Sequence, residues 1–342
     1  MKYLLIVPGL LLCFFCAAQP KQDSIAWVRQ TAAVYDLEYT AAEADSLLDG
    51  LREFTSWYRA QHQIPATNEI PFPFAFNPAL NLDIRKVQQR PLKWNLPANV
   101  ALPANREELA FYSIPQLASL IRNKKISSLA LTEFFLYRLK KWGDTLECVI
   151  SLTDNMAREQ ARQADAELAR GIYRGPLHGI PYGLKDLFAV KGTKTTWGST
   201  PYKEQVVNED AYVYTQLKKA GAVLCAKLSL GALAYNNKWF GGETKNPWNL
   251  AQGSSGSSAG SAAATAAGLL PFAIGTETWG SIISPSARCG VTGLRPTFGT
   301  ISRSGAMVLC WSLDKAGPIC RSAEDAAIVF AALSGTDGKD AS

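Results

Sequence analysis

Hydrophobic and polar positions follow two different patterns along the 342-residue chain. Thr40-Ala41-Ala42-Glu43 reads as a capping box opening a helix, with Leu47, Leu48, Leu51, Phe54 and Trp57 on roughly one face. With the segment from Ser24 to Tyr35, it predicts an N-terminal helical extension. From Ile64 to Leu102 the period is lost in a run holding Pro65, Pro71, Pro73, Pro78, Pro91 and Pro97, which reads as an irregular segment wrapping the body. From Ser113 onward, helices alternate with short apolar runs. Ser113 caps a helix with Leu117 and Leu120, and a second helix carries Leu131, Phe135 and Leu139. Cys148 to Leu152 reads as a strand, and Asp154 as the cap of an Ala-rich helix that Gly171 stops. Then come a strand from Ile180 to Leu184, a helix from Asp210 to Ala220 stopped at Gly221, and a strand from Ala222 to Ala226. A Gly/Ser loop feeds a helix from Ala259 to Ala267, a strand follows from Leu269 to Ile274, and Ser322 caps a last helix from Ala323 to Leu333. The alternation predicts an α/β architecture with a buried sheet, and no internal repeat is found.

Composition adds limits. With 47% hydrophobic and 19% charged residues the chain is globular, long enough for a large core or two domains. The formal net charge of +6 spreads over short clusters such as Arg122 to Lys125 and Arg138 to Lys141, at the ends of helical patterns where they complement the helix dipole. No basic stripe interleaves with aromatics, so no nucleic-acid partner is expected. Residues 1–18 read as a signal peptide: Lys2, an apolar run from Tyr3 to Phe15, then Cys16-Ala17-Ala18 before Gln19 and Pro20. A membrane anchor would need about 20 apolar residues, and Leu12 and Phe15 before Cys13 and Cys16 are too bulky for lipoprotein processing. The later apolar stretch from Ala262 to Gly275 is short and broken by Gly268 and Pro271. The expectation is export to the periplasm or the outside, with no stable anchor after cleavage. Cys148, Cys225, Cys289, Cys310 and Cys320 read as buried thiols, with room for one disulfide among the last three. The two histidines, His62 and His178, have no His or Cys at ligand spacing, so no metal is expected.

Candidate chemistry concentrates between Gly253 and Arg295, where a Gly/Ser loop, a small-residue helix and a second serine set Ser257 and Ser281 24 positions apart. Gly-rich backbone with exposed N–H groups can hold an oxyanion or a phosphate, and can equally be a flexible linker. Gly256-Ser257-Ser258-Ala259-Gly260 fits a G-x-S-x-G nucleophile elbow, but that elbow needs a later histidine, and none follows His178. Ser312-Leu313-Asp314-Lys315 matches S-x-x-K without its partner motifs and reads as chance. No lysine follows the glycines as a phosphate-binding loop would require. Lys185 ends the apolar run Gly179 to Leu184. A lysine there is either a solvated strand end or, if desolvated so that its pKa falls toward 7, a base for a serine.

The blocks Gly175 to Gly198 (GPLHGIPYGLKDLFAVKGTKTTWG), Asn246 to Asn249 (NPWN), Gly253 to Gly268 and Gly275 to Gly299 strongly resemble the amidase signature family, over roughly Ser113 to Gly335. The resemblance implies a mixed central β-sheet sandwiched by helices. It also implies a Ser–Ser–Lys triad that hydrolyses carboxamide bonds without a cofactor. Lys185 matches the lysine of the GIP-x-x-x-KD block, Ser257 the first serine of the GGSSGG loop, and Ser281 the nucleophile of the TD-x-GGSI block. Backbone N–H groups of Thr278, Trp279, Gly280 and Ser281 are then expected to hold the oxyanion, and a cis peptide is expected between Gly256 and Ser257. Departures are Ser255 and Ala259 at two glycine positions and Trp279 at another, where its indole is expected to form a pocket wall. Ile283 replaces a frequent arginine, which changes the charge pairing around Glu277. The resulting layout is a signal peptide at 1–18, a helical and Pro-rich extension at 19–105 and an amidase signature domain at 106–342. Members continue well past the segment matching Ala323 to Gly335, so the C-terminal part of the domain is expected to be missing. The implied partner is a small-molecule amide, and a homo-oligomer is compatible with the reading. The alternatives are a glutamine amidase subunit of an amidotransferase and a catalytically inactive, truncated homologue.

Overall fold

A computed structural model of the protein describes residues 21–64 and 92–340. The signal-peptide reading and most of the Pro-rich run lie outside the described residues. The chain divides into two compact units, Met1–Arg90 and Pro91–Ser342. The first contains α1 (Lys21–Val34) and α2 (Ala41–Gln61). Thr40 caps α2 as its sequence implies, accepting from the Glu43 N–H while the Glu43 carboxylate accepts from the Thr40 N–H. The expected apolar face of α2 is corrected. Leu48 is buried with Ala44, but Leu47, Leu51, Phe54 and Trp57 are exposed, because α1 covers only a narrow seam of a 21-residue helix.

The second unit is α/β. Its helices and strands are α3 (Ile114–Arg122), α4 (Ser128–Leu146), β1 (Val149–Leu152), α5 (Asp154–Ala169), β2 (Pro181–Lys185), α6 (Tyr212–Lys219) and β3 (Val223–Leu228). Two short ribbons follow, β4 (Lys238–Trp239) with β5 (Gly242–Glu243) and β6 (Lys245–Asn246) with β7 (Asn249–Gly253). The chain continues through α7 (Ala259–Ala266), β8 (Phe272–Glu277), α8 (Ile283–Cys289), β9 (Thr292–Gly293), β10 (Lys315–Cys320) and α9 (Ala323–Leu333). Six strands form one mixed sheet in the order β1-β3-β2-β8-β10-β9. Within it β2 runs parallel to β3 and β8, while β1 and β10 run antiparallel to their neighbours. Helices α4, α5, α7 and α9 pack on the sheet. Trp94, Val100 and Leu102, from the end of the irregular run, pack against the same core.

Local chemistry explains most boundaries and a few differences from the sequence reading. Ser113 and Gln116 close a capping box on α3, and Ser322 caps α9 through the Asp325 N–H. The cap of α5 is Thr153. Asp154 instead sits in the first turn and pairs with Lys140 and Arg158. Helix α6 starts two residues late, because the Asp210 carboxylate accepts from the Lys191 N–H. Strand β8 begins at Phe272 because Gly268 ends the preceding helix at φ +64 and the Leu269 N–H turns back to Ala264. No disulfide joins Cys289, Cys310 and Cys320. All five cysteines described are free thiols, with these three on the end of α8, the loop before β10 and the end of β10.

Candidate active site

Strand β2 is buried at every position, as a central strand flanked by two parallel neighbours must be. Lys185 is its last residue, so the amine sits at the carboxyl end of the parallel strands, where open α/β sheets place their ligands. The solvated-end alternative fails, since Lys185 is 0% exposed. Its Nζ lies 2.9 Å from Ser257 Oγ, 3.1 Å from Ser258 Oγ and 2.9 Å from Thr276 Oγ1. Burial lowers its pKa to about 7, and the negative charges of Asp314 and Glu277 offset that only in part.

The Gly/Ser loop is built for close approach. A Cβ at Gly256 would lie 1.9 Å from the Asn236 carbonyl oxygen, so only glycine fits there. The Gly256–Ser257 peptide is cis, as the resemblance implies, and Ser257 is buried. Ser258 is the first residue before α7; its hydroxyl donates to Thr276 O at 3.0 Å and accepts from the Thr276 N–H at 3.2 Å. Ser258 and Thr276 therefore complete the shell around the lysine amine. Sequence reading passed over both, because a second serine in a Gly/Ser loop and a threonine in a strand carry no distinguishing pattern.

The second serine follows β8. Ser281 O accepts from the Ser258 N–H at 3.1 Å, which ties the Ser281 segment to the Gly/Ser loop, and Ser255 Oγ meets Ser284 Oγ at 2.7 Å. Glu277 is buried beneath this turn. Its carboxylate accepts the N–H groups of Ile282 and Ile283, each at 2.9 Å, and Arg295 lies 3.3 Å away, the charge partner where Ile283 supplies none. Burial pushes the Glu277 carboxyl up, but the N–H groups of Ile283, Ile282 and Gly280 and the Arg295 guanidinium outweigh it and hold the group below its ordinary value. Gly280 adopts φ +94, a conformation that favours glycine. The Trp279 indole is 91% exposed, so it does not form the expected pocket wall.

Beside the turn, a cavity of about 580 Å³ is bordered by Thr276 and Thr278, with Leu187, Phe298, Met307 and Trp311 in its apolar lining and Arg303, Asp314 and Lys315 among its charged lining. The S-x-x-K pattern does not form a serine–lysine pair. Ser312 faces Cys310, while Lys315 donates to Thr278 O at 3.2 Å. His178 is buried with Nε2 at 2.9 Å from Ala164 O, serving the α5 packing rather than a serine.

The Amidase family profile matches residues 130–342. The chain is 46% identical over 231 residues to the A subunit of the glutamyl-tRNA(Gln) amidotransferase from Coxiella burnetii, covering 67% of this chain and 48% of that protein. Among solved structures it is similar to the native peptide amidase from Stenotrophomonas maltophilia. That match has a TM-score of 0.65 at 38% identity and covers 68% of this chain and 49% of the other. A bacterial aryl acylamidase of the amidase signature enzymes superposes with a TM-score of 0.64 at 27% identity, covering 68% and 49%. The chain belongs to the Amidase family, the amidase signature enzymes. It spans about half the length of the curated relatives it matches.

Proposed function

We propose that the protein hydrolyses a carboxamide C–N bond through an acyl-enzyme on Ser281, with Ser257 as relay and Lys185 as base. The observation that carries this reading is the buried Lys185 amine, 2.9 Å from Ser257 Oγ and with its pKa brought down to about 7. A neutral amine has two N–H groups and one lone pair. With Ser258 Oγ and Thr276 Oγ1 taking the two N–H groups, the lone pair is left for the Ser257 O–H. Ser257 then accepts the proton of Ser281 as the Ser281 oxygen attacks the amide carbon. The N–H groups of Thr278, Trp279 and Ser281 receive the oxyanion, each aligned donor contributing about 3 kcal/mol, while the Gly280 N–H stays on the Glu277 carboxylate. As the C–N bond breaks, Ser257 returns the proton to the leaving amine and recovers one from Lys185. A water molecule, deprotonated along the same relay, then cleaves the acyl–Ser281 ester and restores the enzyme. The chain's own side chains move every proton, so the reading calls for no cofactor.

The substrate is a small-molecule amide whose acyl or amine side occupies the cavity beside Thr276 and Thr278, where apolar and charged side chains both line the wall. Lys2, the Tyr3 to Phe15 apolar run and the small residues at Cys16 to Ala18 support export, and the proposal is of a reaction outside the cytoplasm. The amidotransferase reading has its own support in the 46% identity to the Coxiella burnetii amidotransferase chain. Assays with acyl anilides, peptide amides, lipid amides and free glutamine separate the two. Turnover of one of the first three classes supports the amidase reading. Glutamine-dependent ammonia release with no turnover of the others would replace it.

A further inference from the structure

We propose that Asp314 and Lys315 are positioning residues that clamp the Thr278–Trp279 peptide, so that the Trp279 N–H faces the oxyanion formed at Ser281; this rests on the hydrolase reading. Thr278 lies just beyond the last residue of β8, outside the ladder with β10. Of the two residues after it, Trp279 is 91% exposed, whereas Gly280 is held from the α8 side, its N–H by the Glu277 carboxylate and its carbonyl oxygen by the Ser284 N–H at 2.7 Å. What fixes Thr278 comes from the start of β10. The Thr278 hydroxyl donates to the Asp314 carboxylate, and the Lys315 amine donates to Thr278 O at 3.2 Å. Asp314 is itself held, its other oxygen accepting the N–H groups of Leu309 at 2.8 Å and Cys310 at 3.0 Å. Lys315 pairs with Glu277 across the β10–β8 ladder, so the amine is rooted beside the loop it holds.

The consequence follows from peptide geometry. In a trans peptide the C=O and the next N–H leave opposite edges of one plane. Fixing Thr278 O toward Lys315 therefore fixes the Trp279 N–H on the far side. A charged donor on the carbonyl also polarises the unit and strengthens its N–H as a donor. The groups around Lys315 are Glu277, Asp314, Arg295 and Cys310; burial lowers its pKa, and the two carboxylates oppose that shift.

The test uses the full chain labelled with [15N]tryptophan, the Trp279 amide resonance being assigned by its loss in Trp279→Phe. Lys315→Met removes the donor at similar length, and Lys315→Gln keeps one. The expected result for Lys315→Met is a displaced Trp279 amide resonance. With it should come an about 10- to 100-fold slower reaction of Ser281 with a fluorophosphonate, and a similar fall in kcat at nearly unchanged KM. Lys315→Gln should return both within about threefold of wild type. Thr278→Val, which removes the bond to Asp314, should displace the same resonance and serves if Lys315→Met does not fold. A Trp279 resonance unmoved in Lys315→Met, or in Thr278→Val if that variant is the one used, overturns the clamp whatever the activity. So does a Lys315→Gln variant as slow as Lys315→Met. A resonance that moves in a protein whose wild-type Ser281 never reacts removes the hydrolase reading and with it the catalytic role of the clamp.

Discussion

The Lys185 amine and the Ser257 hydroxyl meet at 2.9 Å although 72 residues separate them, in a position where the lysine has no exposed surface. An ammonium without a carboxylate in contact is disfavoured there, so the amine loses its proton near neutrality. Because the base must be neutral to act, kcat/KM for an amide should rise with pH through about 7 and level off above it. Lys185→Ala should lose that limb and fall by about 10²- to 10⁴-fold. A pH–rate series on both proteins checks this, and an unchanged limb in the variant removes Lys185 from the relay.

The same burial has a signature in stability. The unfolded chain keeps Lys185 protonated up to about 10.5, whereas the folded protein releases that proton near 7. Between those values the unfolded state binds more protons, so this group's contribution to stability rises with pH across the window. The penalty is full below about 7 and gone by about 10.5. Lys185→Met should therefore be more stable than wild type at pH 7, and the gap should narrow by about 2 kcal/mol by pH 9. Urea unfolding of the two proteins at both pH values measures it. A gap independent of pH contradicts a depressed lysine.

Next to this base, Asp186 and Lys227 form an ion pair at 2.6 Å with both side chains fully buried. Asp186 also takes the N–H and O–H of Thr196, and Lys227 donates to Lys194 O, so the pair fastens the loop after β2 to β3. Asp186→Asn leaves a buried ammonium uncompensated and should cost about 3 kcal/mol. Adding Lys227→Met removes that charge and should recover at least half of the loss. Double-mutant unfolding data in which the two losses simply add would show the pair to be uncoupled.

Gly260, at the start of α7, has no room for a side chain. A Cβ there would lie 2.4 Å from Cys148 O and 2.6 Å from Ser229 N, both backbone atoms. Gly260→Ala should destabilise by about 3 kcal/mol and shift the Ser257–Ser258 turn. Gly50→Ala, in α2 with nothing within 4 Å of its Cβ position, should be neutral or stabilising by up to about 1 kcal/mol. Thermal unfolding of the two variants gives the comparison, and equal effects would contradict the packing described.

Much of this architecture was legible in the sequence wherever a short-range rule applied. The capping box at Thr40, the cap at Ser113, the glycine stops at Gly171 and Gly221, and the apolar run ending at Lys185 each depend on neighbours a few residues away. Strand β10 was not read, because Gly317 and Pro318 punctuate it. Pro318 is tolerated there, its carbonyl accepting from the Leu294 N–H at 3.0 Å. Family blocks rather than periodicity singled out Lys185 and Ser257, which the structure brings within 2.9 Å of each other, and Ser281, the nucleophile of the proposal. Thr276, which reaches Lys185 across 91 residues, and Asp314, which reaches Thr278 across 36, depend on sheet order that no local pattern encodes. The burial of Lys185 has the same origin: a strand-end lysine looks alike in sequence whether water or α7 lies above it.

Reaction of the folded protein with a fluorophosphonate, followed by intact mass and peptide mapping, tests the central claim most directly. The expected result is a single adduct on Ser281, abolished in Ser281→Ala and slowed at least about 100-fold in Lys185→Ala. A well-folded protein that takes up no probe, or an adduct that survives Ser281→Ala, would contradict it.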